Sequence, residues 1–219
     1  MKALKAIGAK KIILFLTIIY AVGLVGLLYP PTRELTASLT VANLLLAFGL
    51  LTGWEYPWSK ARWLAVLIPF TGGFFAEWLG VHTGLLFGNY HYGEALGWKI
   101  QGIPIMIGVN WVLMVWMTQA LWRKIEPMWR PLLAAATMTA YDILLEQIAI
   151  RFDYWHWAGG EIPVFNYVCW FGLAFMFHWS FQKISPPRPN PIALAVFFLQ
   201  VFFFASLNLF FILLPELGI

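Results

Sequence analysis

Three acidic residues lie in stretches of the chain that are otherwise apolar. Glu77 falls within the glycine-rich run TGGFFAEWLGVH, and Asp142 and Glu146 fall within the apolar segment 131–150. The last two are four positions apart, so on a helix they share one face. Because two close carboxylates in a low-dielectric setting do not both ionise cheaply, we expect one of them to stay protonated at neutral pH. Such a pair can supply a general acid and a general base.

A purely structural role is the alternative for these acids. Neutral, hydrogen-bonded carboxyl groups could tie two helices together without any chemistry. Acidic residues inside a membrane usually face the bundle interior and mark a functional path. We favour function here because three acids fall on the same side of the predicted bundle.

The composition of the chain predicts a membrane protein. Of its 219 residues, 61% are hydrophobic and 11% are charged, whereas soluble domains carry about 25% charged residues. Lysine and arginine exceed aspartate and glutamate by 14 to 10. We attribute this excess to membrane topology, because no basic run with interleaved aromatic residues indicates nucleic-acid binding. The single cysteine, Cys169, excludes an internal disulfide and a thiolate metal cluster.

Apolar runs long enough to cross a hydrocarbon core of about 30 Å recur along the chain, and proline and glycine residues separate them. We predict a single all-α integral-membrane domain over residues 1–219, with a retained N-terminal helix instead of a cleaved signal peptide. The seven predicted helices are 12–28, 36–52, 63–82, 105–122, 131–150, 164–181 and 191–214.

The distribution of lysine and arginine sets the predicted orientation. With the N-terminus in the cytoplasm, eleven of these residues lie on the inner side, and only Arg33, Lys99 and Arg151 lie on the outer side, as the positive-inside rule requires. The C-terminus is then outside. The breaks 83–104 and 151–163 lie at the outer ends of helices, next to the acids. We therefore predict a pocket in the outer half of a prokaryotic cytoplasmic membrane.

The two outer breaks are rich in aromatic and histidine residues. Aromatic faces can stabilise a desolvated cation by about 2 kcal/mol each, although interfacial belt residues are the alternative. The rings in question are Tyr90, Tyr92, Trp98, Tyr154, Trp155 and Trp157. His82 and His91 are candidates for positioning water or relaying a proton, and His156 and His178 are interpreted as interfacial or packing residues. Neither an H-E-x-x-H site nor a di-iron histidine pattern occurs, so we expect no metal.

Four blocks of the sequence resemble a membrane family of carotenoid-biosynthesis proteins that includes the CruF-type carotenoid 1,2-hydratases, such as bisanhydrobacterioruberin hydratase. The blocks are AEWLGVHTGLLFGNYHYGEALG, IQGIPIMIGVNW, YDILLEQIAIRFDYWHW and IPVFNYVCWF, within residues 60–182. The family pattern E-x-x-G-x-x-T-G-x-x-F-G-x-Y-x-Y matches Glu77, Gly80, Thr83, Gly84, Phe87, Gly88, Tyr90 and Tyr92.

Further matches to this family lie in the second half of the chain. The family's aspartate on the fifth helix falls on Asp142, its W-x-W falls on Trp155 and Trp157, and its later asparagine falls on Asn166. The chain departs from the family at Glu146-Gln147, where members tend to have an aspartate-proline pair. An acid is kept there and a proline kink is lost.

The resemblance implies an enzyme that adds water to the terminal double bond of an acyclic carotenoid end group, giving a tertiary alcohol without a cofactor. In the implied mechanism Asp142, with Glu146 alongside, protonates the alkene, and aromatic faces hold the resulting cation. Glu77, with His82 or His91, accepts the proton of the attacking water. The implied partners are the carotenoid, water and membrane lipid, while the sequence leaves the oligomeric state open.

The resemblance also implies the residues that contact the substrate, which are Gly84, Gly88, Asn89, Tyr90, Tyr92, Trp155, Trp157 and Asn166. We interpret Gly84 and Gly88 as leaving a groove for a flat polyene, and Gly72 and Gly73 as allowing close helix packing. Two other functions stay open. A lycopene-cyclase-type enzyme would quench the same cation by ring closure, and a carotenoid-binding or transport protein would do no chemistry.

Overall fold

Turn-forming residues divide the chain into helices close to the breaks that the sequence predicts. In a computed structural model, residues 2–214 are described, and they form nine helices and four short strands. The helices are α1 (Lys2–Ile7), α2 (Ala9–Leu28), α3 (Pro30–Ser38), α4 (Thr40–Trp54), α5 (Lys60–Thr83), α6 (Ile105–Leu121), α7 (Arg130–Arg151), α8 (Val164–Ile184) and α9 (Pro191–Leu213). The strands are β1 (Tyr90–Tyr92), β2 (Lys99–Ile100), β3 (Ile103–Pro104) and β4 (Trp155–Trp157).

Six of the seven predicted helices correspond to one helix each, and the predicted helix 36–52 is wrong as a continuous segment. It spans the end of α3 and most of α4, and these two helices meet at an angle of 52°. At the break, the hydroxyl of Ser38 donates to the Leu35 carbonyl and that of Thr40 donates to the Ala37 carbonyl, both at 2.7 Å. Side chains that bond the nearby backbone in this way compete with the regular helix.

The N-terminal segment contains a helix that the sequence analysis does not predict. The helix α1 precedes α2, and the two are separated at Gly8, whose φ of 86° lies in the left-handed region that glycine tolerates best. The predicted helix 12–28 therefore begins earlier, at Ala9.

Several helices are suited to a membrane by length and composition. The helices α2, α5, α7 and α9 are long and apolar enough to cross it, and the bent pair of α3 and α4 would add a fifth span if it is counted as one. The apolar helix α6 is shorter, with 17 residues. The chain is therefore a mainly helical membrane protein.

The helix α6 lies at the centre of the bundle, in contact with α4, α5, α7, α8 and α9. Every residue from Ile107 to Ala120 is buried except Asn110. The helix α5 approaches α6 closely at Gly73, because a side chain at that position would overlap the indole of Trp111. This contact agrees with the packing role predicted for Gly73.

The loops 84–104 and 152–163 lie at the same end of the bundle, as predicted, because their strands pair. The strands β1 and β4 are antiparallel, with Tyr90 opposite Trp157 and Tyr92 opposite Trp155. No strand is predicted from the sequence. Strand pairing gives these loops partners for their backbone N–H and C=O groups, which is essential next to a lipid phase.

The opposite end of the bundle is held by a buried ion pair that the sequence analysis does not identify. The guanidinium of Arg62 lies 3.2 Å from the Glu55 carboxylate, and Trp116 and Asn190 donate to the same carboxylate at 2.6 and 3.0 Å. Arg62 is fully buried, although its charge is counted among the inner-side cations in the predicted topology. The pair joins the start of α5 to α4, α6 and the start of α9.

Candidate active site

Glu77 lies in the last two turns of α5, and three neutral hydrogen-bond donors hold its carboxylate. Its Oε2 accepts from the hydroxyl of Tyr90 at 2.5 Å and from that of Tyr92 at 2.7 Å. Its Oε1 accepts from the indole N–H of Trp111 at 3.1 Å. The residue is 4% exposed. Because a buried carboxylate needs such partners to offset the loss of hydration, these donors stabilise its charged form.

Glu146 on α7 has a matching set of three donors. The indole N–H groups of Trp155 and Trp157 donate to its Oε2 at 2.9 and 3.0 Å. The amide of Asn166 donates to its Oε1 at 2.9 Å. Glu146 is 1% exposed, so it is as deeply buried as Glu77 and equally well provided with donors.

Asp142 has fewer partners than the two glutamates. Its Oδ2 accepts from the Asn166 amide at a long 3.3 Å, and its Oδ1 is buried without a hydrogen-bond partner. The same Asn166 amide nitrogen thus lies between Asp142 and Glu146, one helical turn apart on α7. This arrangement joins the two acids into one unit with an unfilled hydrogen-bonding position on Asp142.

The paired strands β1 and β4 supply four of the donors to the glutamates. Side chains alternate across a strand, so Tyr90 and Tyr92 point into the bundle while His91 points away, and Trp155 and Trp157 point inward while His156 points away. One strand pair therefore delivers two phenols to Glu77 and two indoles to Glu146.

The two glutamates line one small cavity, here called the acid cavity. Its volume of about 20 Å³ suffices for a single water molecule. Its walls also include Asn110, Trp111 and Asn166. Aromatic rings form most of the remaining wall, namely Phe87, Tyr90, Tyr92, Trp155, Trp157 and Trp170.

A much larger cavity, here called the apolar chamber, adjoins the acid cavity. Its volume is about 780 Å³, and it lies between helices α2, α3, α4, α6, α7 and α9. The two cavities share Ile107, Asn110 and Trp155 as wall residues. Asn110 is the one residue of the buried stretch of α6 that keeps some exposure, because its side chain faces these cavities.

Most of the predicted site residues are brought together by the fold. Glu77 and Glu146 face one cavity, and Asn166 connects Asp142 to Glu146. The other predicted residues found there are Tyr90, Tyr92, Trp155 and Trp157.

The two histidines assigned to proton relay lie away from the acids. The ring of His82 stacks on Trp78, and its Nδ1 lies 2.9 Å from the Trp78 carbonyl, on the exposed side of α5. His91 is exposed and its ring lies 5.4 Å from that of His156. Among residues 2–214, no group of three or more His, Cys, Asp or Glu side chains is placed to hold a metal ion.

The predicted glycine groove is absent from the wall of either cavity. Gly84 ends α5 in the left-handed conformation, with a φ of 66°. Gly88 also has a positive φ, of 122°, and the space beside it is occupied by Pro163 and Trp157. These glycines serve the backbone turn instead of leaving room for a ligand. Asn89 is exposed, and Trp98 is 86% exposed, so neither lies near the acids.

Three residues of the site, Asn110, Trp111 and Trp170, are not identified from the sequence, although all three lie in the quoted blocks. Trp111 donates to Glu77 and stacks on Trp170 with ring centroids 4.2 Å apart. Asn110, next to Trp111, separates the two cavities. An asparagine within the apolar run IMIGVNWVLMVW is the signal that could have identified this position.

Tyr90 and Tyr92 lie in β1, outside the membrane-spanning helices. Burial, together with the negative charge of Glu77, raises the pKa of both phenols above the ordinary value of 10.0. A group whose pKa is raised on folding stabilises the fold fully below its unfolded pKa and loses that contribution as the pH rises above it. The two neutral phenols therefore stabilise the fold at physiological pH. This contribution is lost progressively as the pH rises above about 10.

We predict that Tyr90 and Tyr92 do not ionise in the folded protein when the pH is raised to about 11. Tyrosinate absorbance should therefore be the same for the native wild type and a Tyr90→Phe/Tyr92→Phe variant. After denaturation at the same pH, the wild type should gain the tyrosinate absorbance of two more phenols than the variant. A lower native absorbance for the variant in this pH range would contradict the buried, hydrogen-bonded placement.

Comparison with known proteins gives the chain a family. Over residues 39–219 it matches the family described as carotenoid biosynthesis protein. No curated protein matches the chain, and no solved structure does. The family match extends from the start of α4 through α9 and includes every residue of the acid cavity. Since it covers most of the sequence, the chain belongs to the carotenoid biosynthesis protein family.

Proposed function

We propose that the protein is a carotenoid 1,2-hydratase that adds water to the terminal double bond of an acyclic end group. The observation that carries this proposal is the junction of two cavities. A water-sized cavity lined by two buried acids adjoins a large apolar chamber, and the two share Ile107, Asn110 and Trp155 as wall residues. Hydration of a hydrocarbon requires these two environments side by side.

The apolar chamber is suited to a polyene chain. Its volume of about 780 Å³ lies within the range of about 300–1,000 Å³ that is usual for ligand pockets. Leucine, isoleucine, valine and phenylalanine side chains make up much of its wall. With the end group at Asn110, the terminal double bond would face the acid cavity while the chain extends between the helices.

The proton donor is the Asp142–Glu146 pair. Asn166 joins the two carboxyl groups, and only Glu146 lines the acid cavity. We assign one proton to the pair as a unit, and Glu146, the member of the pair that lines the acid cavity, is the group from which it is transferred. Asp142 is then a positioning residue that keeps the pair protonated, and Glu146 delivers the proton.

The reaction then runs in two steps. The pair transfers its proton to the inner, less substituted carbon of the terminal double bond, and the π electrons of that bond form the new C–H bond. A tertiary cation results, which the ring faces of Trp155 and Trp157 can stabilise by about 2 kcal/mol each. Water in the acid cavity donates its oxygen lone pair to the cation, and its released proton passes to Glu77.

Glu77 is suited to accept that proton. Its Oε1 has a single donor, Trp111, so it can still accept from water. Transfer of the proton from Glu77 back to the Asp142–Glu146 pair through the next water restores the starting state. The net change is addition of one water, without oxidation or reduction. General acid–base help of this kind contributes about 10²–10⁴-fold in rate.

We test this function by expressing the protein in cells that make lycopene and measuring the mass of the pigment. The expected result is a gain of one or two water masses. Asp142→Asn, Glu146→Gln and Glu77→Gln should each lower the yield of the alcohol at least about 100-fold while the protein still binds pigment.

The matched control is Asp153→Asn, because Asp153 is the only other aspartate in the chain and its side chain is 54% exposed. It should keep wild-type activity. A new ring with unchanged mass would instead assign a cyclase, and unchanged pigment with several acyclic end groups would contradict an enzymatic function.

We further propose that seven spans cross the membrane, with the N-terminus in the cytoplasm. The spans are α2, the bent pair of α3 and α4, and α5 to α9. Two features support α6 and α8 as spans: α6 is surrounded by protein, and α8 has 21 residues, which corresponds to about 30 Å. The acid cavity then lies in the outer half of the cytoplasmic membrane.

This topology predicts which loops a membrane-impermeant maleimide reaches in spheroplasts. A cysteine placed by Glu94→Cys should react from outside, and one placed by Lys124→Cys should react only after permeabilisation. The native Cys169 is buried, so the unmodified protein serves as the background control. The reverse pattern, or equal reaction at both positions, would refute the proposed orientation.

A further inference from the structure

Asn110 on α6 is a polar residue to which the mechanism above gives no chemical step. It lines both the acid cavity and the apolar chamber. Its side chain makes no hydrogen bond to any of the described residues, whereas the amide of Asn166 donates to Asp142 and Glu146. An amide offers one acceptor oxygen and two N–H donors. At Asn110 these groups face the boundary of the two cavities and remain available to a small polar molecule.

The position of Asn110 is fixed by close packing on both sides of it along α6. Trp111, which follows it, packs against Gly73 so closely that a side chain at Gly73 would overlap the indole. At Gly108, which precedes it by two residues, a side chain would come within 2.9 Å of the ring of Phe70. Both contacts are made with α5. The amide is therefore held in place relative to α5 before any ligand arrives, as electrostatic preorganisation requires.

Asn110 and Glu77 are placed to share one water molecule. The indole N–H of Trp111 donates to Glu77 Oε1 at 3.1 Å, so this oxygen lies next to the side chain of the residue that follows Asn110. The acid cavity of about 20 Å³ has room for one water, which needs about two to four polar partners. If the water donates one O–H to Glu77 Oε1 and the other to the Asn110 amide oxygen, its lone pairs are left for the cation.

We propose that Asn110 orients the attacking water and thereby directs the cation to capture by water instead of loss of a proton. This inference rests on the proposed hydratase function and assigns the residue that determines its product. In the capture step the water oxygen forms the new C–O bond, one of its O–H bonds breaks, and that proton passes to Glu77. In the competing step a C–H bond next to the cationic carbon breaks, its electrons form a double bond, and the proton returns to Glu146.

Replacing the amide should separate formation of the cation from its capture. Asn110→Leu removes the polar atoms and leaves all three acids in place, so protonation of the alkene continues while the water loses a partner. In heavy water the acid pair carries deuterium. A cation that forms and then loses a proton instead of binding water yields a hydrocarbon that contains deuterium, whether its chain stays open or closes into a ring.

The test uses the purified full-length protein in lipid nanodiscs, with lycopene as the polyene and heavy water as the solvent. Mass spectrometry measures the alcohol and the deuterium content of the hydrocarbon. We expect Asn110→Leu to lower the yield of the alcohol at least about tenfold and to raise the deuterated hydrocarbon by a similar factor. Glu146→Gln should abolish both, since no cation forms.

Gln119→Leu is the matched control, because it replaces a second buried amide of α6 that lies outside the walls of both cavities. It should give wild-type amounts of both products. An Asn110→Leu variant that hydrates as well as the wild type would overturn the inference. So would a variant that loses the deuterated hydrocarbon together with the alcohol, because Asn110 would then act before the cation. If Asn110→Leu does not accumulate, Asn110→Val decides, since its side chain is shorter.

The same experiment separates this inference from the proposed function. A wild type that forms no alcohol refutes the hydratase function. A wild type that forms the alcohol, together with an Asn110→Leu variant that forms as much of it, refutes the role of Asn110 alone.

Discussion

The architecture depends on keeping carboxyl groups inside a lipid-embedded bundle. Removing a carboxylate from water is costly unless donors replace the lost hydration. Here the replacement consists of neutral phenol, indole and amide groups, three for Glu77 and three for Glu146. Neutral donors hold a carboxylate without a fixed cation that would bind its proton-accepting oxygen permanently. A site built in this way can retain acid–base function.

The rest of the fold follows from where those donors have to be. The loops after α5 and α7 pair as β1 and β4, so that one pair of short strands reaches both glutamates. The helix α6 brings Trp111 to Glu77 and Asn110 to the boundary of the two cavities. At the far end, the ion pair of Arg62 and Glu55 fixes the start of α5 against its neighbours, which sets the depth of Glu77.

Helices and acids are predictable from the sequence, whereas the donors are only partly so. Apolar runs and turn residues locate each helix, and helical spacing places Asp142 beside Glu146. The three-residue strands YHY and WHW are too short to be recognised, and nothing local indicates that tyrosine and tryptophan face inward while His91 faces out. The buried position of Arg62 depends on tertiary contacts. The apolar chamber arises from the packing of six helices and has no local signal.

The central claim is that the Asp142–Glu146 pair holds one proton at neutral pH while Glu77 is ionised. Infrared spectroscopy measures this directly through the C=O stretch of a protonated carboxyl group. We predict one such band from the site in the wild type, which is lost in Asp142→Asn and in Glu146→Gln and is retained in Glu77→Gln. A wild type without the band, or a band that disappears only in Glu77→Gln, would contradict the account.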